Sequence, residues 1–537
     1  MADEFSHKQY LVIDDFSDMR AAIRSILRSL GVNQIDQARD GNDAIAQMAK
    51  KRFDVVLCDY NLGPGKDGQQ VLEEARHRQL VGVDCIFIMV TAENTREMVM
   101  SAAEYAPDSY LAKPFTKELL KNRLDKLFER KAHLSKVNKA LMAKDYGAAI
   151  GELNTLIAAS PKNLADLLKL KTEICLTASR YDEALAVYEQ VLAAREIVWA
   201  RLGMGKILYW KKAYAQAQET FRQLIALDPT LIAAYDWLAK VQTAQQQFAD
   251  AEQTIQHAVK LSPRGLKRQQ LLGDLALSNG HLQEAETAFS HAVTLARHSV
   301  LNHPALFASL ARSKSSNKKY LEAVKIIGEI DKTFPDMPEA TLYKATATAA
   351  VKQHQGDTTG ALEALRTAEQ AMTQFNETSH SKLALEMVKT YAQLGEQEKA
   401  VSLLQACIAN NHDDEEFLTE IVRVCHEAGV EYDAEHAIRD IQRNVVKTNN
   451  SGVRLIKQGE FDAAIQLLRE AAEEMPGNKT INLNAAKAII MKMENMGAAN
   501  EDIQAVCRYV GRVQSLAPND WRLNDILSRL RKLAPKV

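Results

Sequence analysis

Over the first 113 positions the hydrophobic residues fall into short, unbroken runs. Residues 10–13 (Tyr-Leu-Val-Ile), 55–58 (Val-Val-Leu-Cys), 86–90 (Ile-Phe-Ile-Met-Val) and 110–111 (Tyr-Leu) are apolar throughout, and amphipathic stretches separate them. Short runs without alternation predict strands buried on both faces, joined by crossover helices in a parallel sheet. From Phe115 to about Leu134 the period changes to that of a helix, with Leu119, Leu120, Leu124, Leu127 and Phe128 on a common face. No Pro/Gly-rich break precedes Val137, so a stiff helical connection to the remainder of the chain is expected.

Beyond about residue 136 the strand pattern disappears and a repeat takes over. Ala217, Ala251 and Ala285 are 34 residues apart, as are Phe221, Ile255 and Phe289, and Gly205, Ala239 and Gly273. Pro229 and Pro263 keep the same step, and Ala184 and Ala149 extend the series backward. The phrase recurs as Tyr-Asp-Glu-Ala at 181–184, Tyr-Ala-Gln-Ala at 214–217, Phe-Ala-Asp-Ala at 248–251 and Leu-Gln-Glu-Ala at 282–285. This pattern resembles the tetratricopeptide repeat, in which small residues let paired helices approach and large ones fill the seam. Looser units follow near Tyr320, Gly360, Lys399 and Phe461, with insertions expected around residues 297–319. The resemblance implies about ten helix pairs over residues 131–537, most regular at 165–296, wound into a superhelix whose groove binds peptides or helices. Candidate groove positions are Lys169, Glu173, Lys206, Tyr209, Asp236, Lys240 and Asp274.

The chemistry sits where the apolar runs end. Asp14, Asp15, Asp59, Thr91 and Lys113 each close a run, and in a parallel sheet the ligand crevice lies beyond the carboxyl ends of the strands. Three crowded carboxylates call for a cation, and hard oxygen ligands favour Mg²⁺. A carboxylate so placed can attack a phosphoryl group, which needs positioning and charge neutralisation above all. Asp59 is the natural nucleophile, with Thr91 and Lys113 as donors to the phosphoryl oxygens.

These residues stand in motifs: Asp-Asp-Phe-Ser-Asp-Met-Arg at 14–20, Asp-Tyr-Asn at 59–61, Thr-Ala-Glu at 91–93 and Tyr-Leu-Ala-Lys-Pro-Phe at 110–115. Together they resemble the CheY-like receiver domain of two-component response regulators, over residues 1–130. The resemblance implies an α/β doubly wound, five-stranded parallel sheet of the flavodoxin type, followed by an all-α solenoid. It implies that Asp59 accepts phosphate from a histidine kinase or phosphotransfer protein. It implies Mg²⁺ held by Asp14, Asp15, Asp59 and the backbone carbonyl of Asn61, a switch pair of Thr91 and Tyr110, and dephosphorylation tuned by Asn61 and Glu93. One departure stands out. Residues 60–67 contain one residue more than the usual receiver loop, with Gly63, Pro64 and Gly65 in its middle.

Composition narrows the alternatives. Of 537 residues, 1–130 carry 18 basic and 21 acidic side chains and the remainder 49 and 48, a balance that speaks against nucleic-acid binding. Six dispersed cysteines fit reduced core positions in a cytoplasmic protein. The first residues show no signal peptide, and no apolar run reaches membrane length, so no membrane insertion is expected. Glu-Ala-Leu at 183–185 and 363–365 falls on the repeat position and lacks the barrel of a cyclic-diguanylate phosphodiesterase. His412-Asp413 lies in a polar turn without partner histidines. No nucleotide loop or Gly-x-Ser-x-Gly motif is present. The expected function is a response regulator, not an enzyme, whose output is protein binding by the repeats. The alternative is a phosphate sink in which the repeats are a constitutive scaffold. A receiver-mediated dimer is compatible with the family, and the face near Tyr110 is the expected place for docking on the array or on a partner.

Overall fold

The structure, a computed structural model, describes residues 5–92, 107–159, 162–374, 381–517 and 520–534. The chain forms two compact units, Met1–Leu306 and Phe307–Val537.

The first unit begins with strands β1 (Gln9–Ile13), β2 (Gln34–Ala38), β3 (Val55–Asp59), β4 (Ile86–Thr91) and β5 (Ser109–Ala112). All pair in parallel, in the order β2-β1-β3-β4-β5. Helices α1 (Ser17–Ser29), α2 (Gly41–Lys50), α3 (Gly68–His77) and the helix Lys117–His133 cover the sheet. The uninterrupted apolar runs follow from this two-sided burial. Leu11, Ile13, Val56, Cys58 and Phe87 pack with Ala44, Ile45 and Val71 on one face. Tyr10, Val12, Leu57, Ile88 and Val90 pack with Ile23, Leu27 and Leu124 on the other. The hydrophobic pattern does not mark β2 (Gln-Ile-Asp-Gln-Ala), because an edge strand is covered less: only Ala38 in it is fully buried.

The helix after β5 buries Leu120, Leu124, Leu127 and Phe128, while Leu119 lies one position off that face and is 44% exposed. It ends at His133. At Leu134 the backbone dihedrals leave the helical range (ψ 8°). Its N–H still donates to Arg130 O at 3.2 Å and its carbonyl accepts from Asn138 N–H at 2.8 Å. A short helix, Ser135–Met142, follows directly. The connection is thus two abutting helices.

From residue 135 onward the described residues form twenty-two helices. Ala149, Ala184, Ala217, Ala251 and Ala285 in the first unit are completely buried, as are Ala323, Ala361, Ala400 and Ala464 in the second. Large and small residues sixteen positions apart meet inside three of the pairs. A Cβ on Gly205 would come within 2.7 Å of the Phe221 ring, one on Gly273 within 2.7 Å of Phe289, and one on Gly452 within 2.8 Å of Leu468. Close helix approach at these places therefore requires glycine. The turn between the paired helices repeats a left-handed residue: Lys144, Ser179, Lys212, Gln246 and Gly280 in the first unit, then Lys318, Gly356, Gly395, Gly429 and Gly459 in the second.

The register loosens for a visible reason. Extra residues before Pro304 lengthen the turn after the helix Leu282–Ala296. In the second unit the helices lengthen, up to the 25 residues of Ala434–Gln458. Its cores gather around Leu365, Met387, Leu404 and Ile421, and around Leu468, Ile489, Val506 and Tyr509. No described helix is long and apolar enough to cross a membrane.

Candidate functional site

β1, β3, β4 and β5 deliver the predicted residues to one edge of the sheet. Parallel register sets Ile13 beside Cys58, Asp59 beside Val90 and Thr91 beside Ala112. Asp14 and Asp15 therefore follow β1 at the level where Asp59 closes β3, Thr91 closes β4 and Lys113 follows β5. The backbone ties these ends together. Tyr60 N–H donates to Val90 O at 2.9 Å, Lys113 N–H to Thr91 O at 2.7 Å, and Asp14 N–H to Ala38 O at 3.3 Å. The Lys113–Pro114 peptide is cis.

Lys113 sits between two buried acids. Its Nζ lies 2.7 Å from Asp14 Oδ2 and 2.8 Å from Asp59 Oδ2. Asp14 is completely buried and Asp59 is 7% exposed. Burial pushes the Asp59 carboxyl above its ordinary range, with Asp14 adding to the shift and Lys113 opposing it. Burial also pulls the Lys113 ammonium down, but its bonds to Asp14 and Asp59 outweigh this and hold it above its usual range. Asp14 Oδ1 is occupied as well, accepting from Phe16 N–H at 2.9 Å.

The carboxylates of Asp14, Asp15 and Asp59 each offer an oxygen within 4.8 Å of the others. Asp15 Oδ1 is buried and has no hydrogen-bond partner. An unsatisfied anionic oxygen in a cluster of hard ligands fits a divalent cation such as Mg²⁺.

The remaining predicted residues surround this cluster. Thr91 is 9% exposed at the end of β4. Tyr110, in β5, is half-buried; burial pushes its phenol up, and Tyr60 adds to the effect. Asn61 is exposed, and its side chain accepts from Gly63 N–H at 3.3 Å. Glu93 lies outside the described residues. The long loop after Asp59 is closed by a turn of left-handed glycines, Gly63 and Gly65. Gly68 N–H then donates to Tyr60 O at 2.8 Å, and Asp67 and Gln70 form a capping box that starts α3.

Sequence reasoning missed the surroundings of this loop. Tyr60, Asp67, Gln70 and Glu73 all meet residues of the repeats. The Arg264 guanidinium donates to the Tyr60 hydroxyl at 3.1 Å and lies 3.7 Å from Asp67 Oδ2. Gln70 Nε2 donates to Leu295 O at 3.3 Å, and Ser299 Oγ donates to Glu73 Oε2 at 2.7 Å. These partners stand 197 to 226 positions apart, so no local pattern announces them.

In the array, two of the expected groove residues share an aromatic platform that the pattern did not single out. Lys206 and Lys240 lie over the Trp237 ring at 5.4 and 4.9 Å, and Tyr209 meets it edge-on at 5.6 Å. Asp236 accepts from the buried Arg268 at 2.9 Å, a tie within the array. Lys169, Glu173 and Asp274 are exposed. The Glu-Ala-Leu and His-Asp segments have structural roles. Ala184 is fully buried, His412 Nδ1 meets Asn478 Nδ2 at 2.9 Å, and Lys479 lies 3.4 Å from Asp413. All six cysteines are free thiols.

Comparison with known proteins finds matches in both parts of the chain. The response regulator receiver domain model matches residues 10–125, and a tetratricopeptide repeat model matches residues 176–232. The chemotaxis protein CheY-3 of Vibrio cholerae is 40% identical over 126 residues, covering 22% of this chain and 91% of that protein. The chemotaxis protein CheY of Pseudomonas aeruginosa is 37% identical over 120 residues, covering 22% of this chain and 95% of that protein. A solved tetratricopeptide repeat protein from Parabacteroides merdae is 16% identical, with a TM-score of 0.32, covering 48% of this chain and 98% of that one. The chain belongs to the response regulators, with a CheY-like receiver domain followed by tetratricopeptide repeats.

Proposed function

We propose that this response regulator accepts a phosphoryl group on Asp59 in a Mg²⁺-dependent reaction and that its output is protein binding by the repeats. In this reading the receiver occupies residues 1–130 and the array 131–537. The observation that carries it is Lys113 Nζ bridging Asp14 and Asp59 beside the unsatisfied Asp15 oxygen. Asp14, Asp15, Asp59 and the Asn61 carbonyl would hold the cation, which when bound supplies charge neutralisation to the phosphoryl oxygens. An Asp59 carboxylate oxygen attacks the phosphorus of a phosphohistidine on a kinase or phosphotransfer protein. A P–O bond forms as the P–N bond breaks, and the imidazole leaves. Lys113 keeps Asp59 ionised against its burial and draws off charge from the phosphoryl group, while the Thr91 hydroxyl donates to it. Thr91 and Tyr110 then act as the switch pair, and Asn61 and Glu93 set the lifetime of the acyl phosphate.

The output follows from what the repeats offer. A lysine–tryptophan platform at Lys206, Trp237 and Lys240 suits a partner segment that presents acidic and apolar side chains together. A near-complete swing between two states needs phosphate to favour one by about 5 kcal/mol. The test is capture of partners from lysate by the full chain with and without Mg²⁺–beryllofluoride, beside Asp59→Ala. A protein held in one state only, and indifferent to the mimic in the mutant, is the expected result. Identical captures in every condition would contradict gating and favour the phosphate sink.

A further inference from the structure

The extended loop after Asp59 is held at both ends by one residue of the array. Arg264 lies in the turn between the helices Phe248–Leu261 and Leu266–Ser278. Its guanidinium donates to Tyr60, the first residue of the loop, and pairs with Asp67, the last. The same cation stands 5.9 Å from the centre of the Tyr60 ring. The end of the helix Leu282–Ala296 and the turn after it make the second contact, through Leu295 and Ser299 to Gln70 and Glu73 on α3. Tyr60 is 7% exposed in this setting.

Between the clamped ends, Leu62 is buried in the core, and Lys66 donates to Asn42 at 2.7 Å and lies 3.3 Å from Glu74. The rest of the loop is left with little to order it. Asn61, Gly63, Pro64 and Gly65 are exposed, and both glycines adopt positive φ. A loop lengthened by one residue and rich in glycine carries extra conformational freedom, which must be lost when Asn61 presents its carbonyl to a cation. A guanidinium that ties the Tyr60 and Asp67 side chains together adds to the backbone bonds and capping box already at these ends and removes part of that freedom beforehand. Preorganisation of this kind raises affinity without touching the ligand.

We propose that Arg264 is a positioning residue for the phosphorylation site, and that docking of the repeats on the loop and α3 is positively coupled to occupation of that site. The proposal rests on the reading of Asp59 as phosphoacceptor. Its sign follows from linkage: docking and Mg²⁺–phosphoryl binding both order residues 60–67, so each lowers the ordering cost of the other. The interface is small and polar, and single exposed ion pairs of this type contribute little. It is therefore weak enough for the state of Asp59 to shift it. The repeats then read the receiver through the β3–α3 loop.

Hydrogen exchange on the full chain tests this directly, with Mg²⁺ alone and Mg²⁺–beryllofluoride as probes. In the wild type, the mimic is expected to slow exchange at residues 60–70 and also in the array at 262–270 and 295–300. Arg264→Ala should speed exchange of the loop without ligand, weaken Mg²⁺ binding by about fivefold or more, and abolish the array response. Arg264→Lys should restore part of each effect, and Glu73→Ala should weaken the array response while the loop stays clamped. Unchanged loop exchange and Mg²⁺ affinity in Arg264→Ala would overturn the proposal. So would a mimic that protects the loop and leaves the array of the wild type unaffected, with the phosphoacceptor reading intact. No protection of the wild-type loop at all would overturn both.

Discussion

A Cβ placed on Gly68 would fall 2.1 Å from the carbonyl oxygen of Asp59. The first residue of α3 thus packs directly on the backbone of the central acid, and Met89 Sδ, at 3.0 Å, closes the other side. The nearer neighbour cannot give way, since it is backbone at the end of β3. Gly68→Ala is expected to cost about 3 kcal/mol, the upper range for overpacking, and to disorder the loop 60–67 with it. Chemical denaturation followed by exchange of the β3 and β4 amides checks this. Wild-type protection in the variant would contradict the packing described.

Lys113 neutralises two buried carboxylates, and removing it leaves them facing each other. Lys113→Met should lose about 3–5 kcal/mol near neutral pH, as expected for a broken buried pair. The pH dependence has a definite sign. The Asp59 pKa is already raised in the fold and rises further without the ammonium. Stability then persists below the ordinary carboxylate range and is lost as pH climbs through the raised value. The gap between variant and wild type therefore closes in acid. Mg²⁺ should bind the variant about tenfold more tightly, because the competing charge is gone, and calorimetric titration reads this.

Much of this site is legible in the sequence because the physics there is local. Asp14, Asp59, Thr91 and Lys113 each end an apolar run, and in a parallel sheet the ends of such runs must share one edge. The 34-residue step of Ala217, Ala251 and Ala285 is legible for the same reason, since each alanine repeats one packing contact. The left-handed turns at Lys144, Ser179, Lys212 and Gln246 are not, because the usual signal is glycine and longer side chains stand there. The change of dihedrals at Leu134 carries no proline or glycine. Arg264 was unreadable for a different reason: its contact with Tyr60 depends on how several repeats stack, not on any pattern near either residue.

The glycines of the array are a further test of that stacking. Gly273→Ala forces a methyl group against the Phe289 ring at 2.7 Å, with an expected loss of about 1–3 kcal/mol. The double variant Gly273→Ala with Phe289→Leu should recover part of it, since the two residues share one contact. Thermal unfolding of the full chain, read at the array, decides between this and additive losses.

Glu252 and His281 clasp neighbouring repeats. His281 Nδ1 lies 2.8 Å from Glu252 Oε1, and Asn279 donates to the other carboxylate oxygen at 2.5 Å. One repeat earlier, Gln218 and Gln247 make the equivalent neutral bond at 3.0 Å. The bond to Glu252 raises the His281 pKa. Its stabilisation is complete below the ordinary imidazole value and fades as pH rises through the raised one. Unfolding midpoints compared at about pH 6 and about pH 8.5 should fall in the wild type and change less in His281→Gln. Equal shifts in both would contradict the clasp.

Phosphorylation of Asp59 can be measured directly. The full chain is incubated with a small-molecule phosphodonor, with and without Mg²⁺, and the phosphorylated residue is identified by mass spectrometry after trapping the acyl phosphate. A single Mg²⁺-dependent modification on Asp59 is expected, absent in Asp59→Asn and strongly slowed in Lys113→Met. Absence of modification in the wild type, or modification that persists when Asp59 is replaced, would contradict the phosphoacceptor reading.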